Sequence, residues 1–153
     1  MGPRVLFVCL GNICRSPAAE AVVRAQAEAR GLAIRLDSAG TSGWHEGEAP
    51  YPPMIAAAAR RGYDMTQLRA RRFRPEDFAN FDLIVVMDHA NRQAVDDLRP
   101  PNSPTPVRLF MDYAPRVAAD EVPDPYYTRD FDGALDLIET AADGLLRALA
   151  AQP

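Results

Sequence analysis

A three-layer α/β sandwich, a small parallel four-stranded sheet flanked by helices, is the architecture to which three features of this chain point. Four short β-rich runs stand out: "RVLFVC" (4–9), "AIRLDSA" (33–39), "DLIVVM" (82–87) and "VRLF" (107–110). The first and third are nearly continuous Val, Ile, Leu and Phe, as strands covered on both faces should be. Helical patterns lie between the runs, and such alternation implies parallel pairing through right-handed crossovers.

Each helix has a local reason. Ser16 to Arg30 is rich in Ala and stops at Gly31, a residue suited to the position after a helix end. Met54 to Arg61 stops in the same way at Gly62. Pro75 to Phe78 reads as a short helical turn, and His89 to Leu98 ends before Pro100-Pro101. The last segment is the clearest. Phe131, Leu135, Ile138, Ala142, Leu145 and Leu149 recur at intervals of three and four, which paints one apolar face on a long helix.

The chain has 153 residues, 48% of them hydrophobic and 25% charged, which suits one globular domain spanning 1–153. A net charge of -4 argues against nucleic acid or an anionic membrane as partner, so any anion site must be a local cluster of donors. The first residues are interrupted too soon for a signal peptide, and no apolar run approaches a membrane span. Cys9 and Cys14 are the only cysteines, too few for a secreted disulfide framework, and a reducing cytoplasm is the expected compartment.

In a parallel sheet the loops leaving the carboxyl ends of the strands gather at one edge, where ligands bind. That edge should collect 9–16, 38–53, 88–91 and 111–128. The first of these, "CLGNICRS", puts a thiol where a buried strand ends and a helix is about to begin. Ser16 is the expected helix cap, with Pro17 at the first helical position. Gly11 and Asn12 tolerate the positive φ angles that turn successive backbone N–H groups inward, an anion nest completed by Leu10, Ile13 and Cys14. The helix N-terminus aims its positive end at the same point, and Arg15 can offer a planar pair of donors to two phosphate oxygens. Those positive ends would favour Cys9 as a thiolate. A lone strand-end cysteine is usually a small core residue. The whole string has no simple packing rationale, however. A Walker loop is excluded by the missing Gly-Lys-Ser/Thr, and two cysteines with distant His45 and His89 make no zinc site. No metal or cofactor is expected.

"VCLGNICRSP" resembles the signature loop of the low-molecular-weight protein tyrosine phosphatases, and the likeness continues through "DSAGTSGWHEGE" (37–48), "FDLIVVMDHAN" (81–91) and "VPDPYY" (122–127). The resemblance implies Cys9 as nucleophile, Arg15 as phosphate clamp and Asp124, between Pro123 and Pro125, as general acid. Read alone, Asp-Pro is more often just a turn. It further implies that Ser16 bonds the thiolate, and that Asn12 and Ser38 support the loop. Asp88 reads most simply as a helix cap, and its family counterpart lies beneath the site. Trp44, Tyr126 and Tyr127 would wall a cleft deep enough for an aryl phosphate, although each alone could be a packing residue. Ile13 would edge the ring. The related protein-arginine phosphatases carry threonine there and lack the tyrosine pair, so Ile13 and Tyr126 favour phosphotyrosine.

Cys9 as thiolate and Asp124 as acid predict a bell-shaped rate profile on the acidic side of neutral. Tyrosine-phosphorylated proteins, and with them a cognate tyrosine kinase, are the implied partners of a monomer or weak dimer. Two rival functions are an arsenate reductase, which would need relay cysteines this chain lacks beyond Cys14, and a non-catalytic phosphotyrosine-binding module. Cys14 is either a packing residue or, as the family supports, a partner that traps oxidised Cys9 in a disulfide. The chain departs from the family at Leu68, where animal members place a loop-supporting histidine, and at "YPP" (51–53), where the family has Asp-Pro-Arg.

Overall fold

The computed structural model describes residues 2–152; Met1 and Pro153, the ends of the expected 1–153 domain, lie outside the described residues. Strands β1 (Arg4–Cys9), β2 (Arg35–Gly40), β3 (Leu83–Val86) and β4 (Val107–Leu109) form one parallel sheet in the order β2-β1-β3-β4. Among the described residues six α-helices follow the strands: α1 (Arg15–Ala29), α2 (Pro52–Arg60), α3 (Asp77–Asn80), α4 (His89–Asp96), α5 (Pro125–Thr128) and α6 (Phe131–Ala150). A 3-10 turn, Phe110–Tyr113, closes β4.

Side chains alternate across the sheet as the pleat requires. Val5 and Phe7 of β1 and Val85 of β3 join the larger core with α1, α2 and α6. Leu6 and Val8 of β1 and Ile84 and Val86 of β3 join a smaller core with Phe78 of α3 and Val95 of α4. The sandwich therefore has unequal layers. Strand β1 is central, and the chain leaves it toward β2 and then crosses back to β3 on its other side. That reversal opens a crevice at the carboxyl end of β1.

The glycine stops hold as expected. Leu32 N–H reaches Ala27 O at 2.9 Å across Gly31 (φ 66°), and Tyr63 N–H reaches Ala58 O at 3.0 Å across Gly62 (φ 87°). Several boundaries differ from the sequence reading. β2 starts at Arg35 rather than at 33, because its partner β1 begins only at Arg4, with which Arg35 is in register. β3 spans 83–86 rather than 82–87, and β4 stops at Leu109, where Phe110 turns into the 3-10 segment. α2 begins at Pro52, two residues early, since both prolines fall where no helical N–H is needed. α3 covers 77–80 rather than 75–78, after a lead-in turn from Pro75. α4 ends at Asp96, and its last turn tightens through Leu98 N–H to Val95 O at 3.0 Å.

The long apolar face of α6 is found as predicted, with Leu135, Ile138, Ala142 and Leu145 buried against the sheet and α1. Gly144 lies where the helix meets the 3-10 turn, and a Cβ there would overlap the Tyr113 carbonyl oxygen. Gly144→Ala is expected to destabilise the fold by about 1–3 kcal/mol through this overpacking, read as a lower urea midpoint. An unchanged midpoint would mean that α6 can shift freely.

Candidate active site

The crevice at the end of β1 is a cleft of about 160 Å³ floored by Cys9, Leu10, Gly11, Ile13 and Cys14. Cys9, the last residue of β1, is buried, and its Sγ lies 3.0 Å from Ser16 Oγ, 3.3 Å from the Asn12 N–H nitrogen and 3.5 Å from that of Ser16. This overturns the expected capping. The helix starts at Arg15, so Ser16 and Pro17 sit inside its first turn, and the residue at the cap position, Cys14, makes no capping side-chain bond. The Cys9 sulfur takes over part of that task as acceptor for the Ser16 N–H.

Only half of the expected loop conformation is found. Asn12 has a φ of 56°, whereas Gly11 is not in the positive-φ region. Glycine at 11 instead suits a close approach, because a Cβ would come 3.2 Å from the His45 ring, which would have to give by a few tenths of an ångström. Asn12 is held from several sides. Its Nδ2 donates to Ser16 Oγ at 2.7 Å and to Ser38 Oγ at 3.0 Å, while its Oδ1 accepts the Arg71 N–H at 2.9 Å. Every polar atom of this buried amide is occupied, which fixes the left-handed turn. Gly40 fits close beneath, where a Cβ would lie 2.8 Å from Leu10 O.

Behind this network Ser38 Oγ donates to Glu20 Oε1 at 2.9 Å, and Glu20 also pairs with Arg24 at 3.0 Å. The network closes without a side-chain donor at 68, where Leu68 packs against the larger core. Burial raises the Glu20 pKa, against the opposing pulls of Ser38 and Arg24. Since the folded state then holds this proton more tightly than the unfolded chain, the associated stability is full below the ordinary value of 4.5 and is lost as pH rises through the folded value. In urea titrations, wild type should therefore lose ground to Glu20→Gln as pH rises above 4.5. A difference that stays flat or grows in favour of wild type would contradict this.

Arg15 is only 2% exposed. Its Nη1 donates to Asp88 Oδ2 at 2.7 Å and to Val122 O at 3.0 Å, and its Nη2 lies 3.4 Å from Asp124 Oδ2. Burial opposes its charge, but Cys9, Asp88 and Asp124 outweigh burial and raise its pKa. Its Nε is buried with no hydrogen-bond partner among the described residues, a donor left for a ligand. Asp88 serves twice: its other oxygen caps α4 by accepting the Asn91 N–H at 2.7 Å.

Asp124 caps the one-turn helix α5, accepting the Tyr126 N–H at 3.1 Å, and it faces into the cleft. Tyr126 and Tyr127 line one side, and Trp44 with His45 the other. All three predicted aromatics are exposed, Trp44 by 75%, so they are rim and not core. Cys14 is buried against the cleft, and burial first, then the Cys9 charge, pushes its pKa up. The sequence reading missed Glu20, Arg71 and His45. Glu20 alone had a local signal, four residues after Ser16 on the same helical face.

The family model described as low molecular weight phosphotyrosine protein phosphatase matches residues 4–153. A low molecular weight protein-tyrosine-phosphatase of Streptomyces coelicolor is 46% identical over 97% of this chain and 94% of its own length. The crystal structure of YfkJ from Bacillus subtilis superposes with a TM-score of 0.93 at 37% identity, covering 98% of this chain and 96% of that one. A protein tyrosine phosphatase from Entamoeba histolytica, solved as a product-state mimic, also reaches 0.93 at 36% identity, over 99% and 98% of the two chains. A match of this extent, on a shared fold, leaves one assignment: the chain belongs to the low molecular weight phosphotyrosine protein phosphatase family.

Proposed function

We propose that the protein hydrolyses phosphotyrosine and related aryl phosphate monoesters through a cysteinyl-phosphate intermediate. The observation that carries this reading is the cleft that Cys9 and Asp124 both line, with the Cys9 sulfur held by two backbone N–H groups and the Ser16 hydroxyl, and with the buried Arg15 beside it reaching Asp124 at 3.4 Å. In the first half-reaction Cys9 attacks phosphorus as the aryl oxygen leaves, and Asp124 gives that oxygen its proton. The free N–H groups of the loop and the Arg15 Nε stabilise the equatorial oxygens. In the second, the Asp124 carboxylate takes a proton from the attacking water. Cys9 then departs as thiolate, with Ser16 Oγ as its hydrogen-bond donor.

The exposed rim of Trp44, Tyr126 and Tyr127 supports an aryl substrate, since a shorter phosphoserine would not span it. Ile13 presents an apolar edge to the same ring. Both cysteines are free thiols, which supports a reducing compartment, and no helix among the described residues is long and apolar enough to cross a membrane. We infer tyrosine-phosphorylated proteins as the partners.

The test is turnover of p-nitrophenyl phosphate and of a phosphotyrosyl peptide in EDTA, with vanadate as competitor. Turnover of both, blocked by vanadate, is expected. Tight vanadate binding without turnover would instead make the cleft a receptor.

A further inference from the structure

Tyr51 opens the segment in which this chain departs from its family, and it lies next to an unusual backbone. Arg129, the residue that ends α5, has a φ of 65°, one of three non-glycine residues with positive φ among those described. A left-handed arginine costs about 1 kcal/mol or more unless its surroundings hold it there. What holds it is chiefly Tyr51, with the Tyr126 carbonyl accepting from the same Nη1 at 3.4 Å. Arg129 Nη1 donates to the Tyr51 hydroxyl at 3.0 Å, and its guanidinium lies over the rings of Tyr51 and Phe131, 5.3 and 5.2 Å from their centres. No carboxylate pairs with Arg129 among the described residues.

The other side of Tyr51 touches the floor and one wall of the active site. Its N–H donates to Ile13 O in the phosphate loop at 2.8 Å, and its ring packs at a tilt of 52° against that of Tyr126, 5.1 Å between centres. Between these contacts runs α5, four residues long, with Asp124 at its start and Arg129 at its end. A single helical turn has almost no stability of its own. The start of the segment is tied down by Val122, whose N–H bonds Met87 O at 2.9 Å and whose carbonyl accepts from Arg15. The far end runs into Asp130, the cap of α6, and the contact that ties it back to the phosphate loop is the one with Tyr51.

We propose that Tyr51 and Arg129 are positioning residues that fasten the Asp124 turn to the phosphate loop, fixing the distance between acid and leaving oxygen. The proposal rests on the phosphatase reading above. Neither side chain touches the reacting atoms. Loosening the clamp leaves the floor of the site intact but lets the acid wander, and a misplaced acid matters most when the leaving group is a poor one.

The experiment compares wild type, Tyr51→Phe, Arg129→Asn and the double variant on p-nitrophenyl phosphate and phenyl phosphate, with vanadate inhibition measured alongside. Asn at 129 tolerates the left-handed backbone, and Phe at 51 keeps the ring and the main-chain bond to Ile13. Each single variant should lose about tenfold in kcat/KM on phenyl phosphate but less than about threefold on p-nitrophenyl phosphate. Vanadate affinity should stay within about twofold of wild type, and the double variant should be no worse than the singles, because both cut one link. Equal losses on both esters, no loss on either, or a parallel loss of vanadate affinity would each overturn the clamp. An inactive wild type would overturn the phosphatase reading and the clamp together, whereas an active wild type with unmoved variants overturns the clamp alone.

Discussion

Cys9→Ser is expected to lower turnover of p-nitrophenyl phosphate by at least about 10⁴-fold, more than about 5 kcal/mol of barrier, with vanadate binding and the fold retained. A serine hydroxyl is not ionised at neutral pH even in a nest of donors, and its oxygen sits closer to Cβ than sulfur does. The Asn12 and Ser16 N–H groups, set at 3.3 and 3.5 Å for a sulfur, would be too far for an oxygen in the same place. Activity within tenfold of wild type would remove Cys9 from the nucleophile's role. Loss of vanadate binding together with activity would instead point to collapse of the loop.

Asp124→Ala should be the second most damaging change. A positioned acid contributes about 10²–10⁴-fold, and the loss should fall on kcat/KM in proportion to how basic the leaving oxygen is. Phenyl phosphate is then hit hardest and p-nitrophenyl phosphate least. Two further losses accompany the proton. Asp124 caps α5, and it is one of two carboxylates that hold Arg15. Asp124→Asn keeps an N-capping side chain and so separates these effects. If Asn restores phenyl phosphate turnover, capping and not acidity was at stake, and the assignment of Asp124 as acid falls.

What could be read from the sequence is what is local in it. The strand that delivers Cys9, the loop to Arg15, the glycine stops at 31 and 62 and the face of α6 each depend on residues within a few positions of one another. At Gly11 and Ser16 the local signals, a positive-φ turn and a helix cap, differ from what the fold uses: Asn12 alone takes the positive φ while the His45 ring crowds position 11, and the Cys9 sulfur meets the Ser16 N–H. Arg71 reaches Asn12 across 59 positions, and Arg129 reaches Tyr51 across 78. No spacing rule covers such pairs. The departure at 51–53 could be seen in the sequence, but its use became visible only once α5 was laid beside it.

The helix cap made of sulfur has a consequence of its own. In the proposed cycle Cys9 carries a phosphoryl group, and its sulfur, now bonded to phosphorus, has far less capacity to accept the Asn12 and Ser16 N–H groups. Each cycle thus begins by withdrawing an acceptor from the start of α1 and ends by returning it. On that mechanism the reaction coordinate and the first turn of a structural helix share an atom, so the covalent state of the enzyme is written into the local stability of its own scaffold. Amide exchange at Asn12 and Ser16 would then report chemistry at Cys9 as directly as product release does.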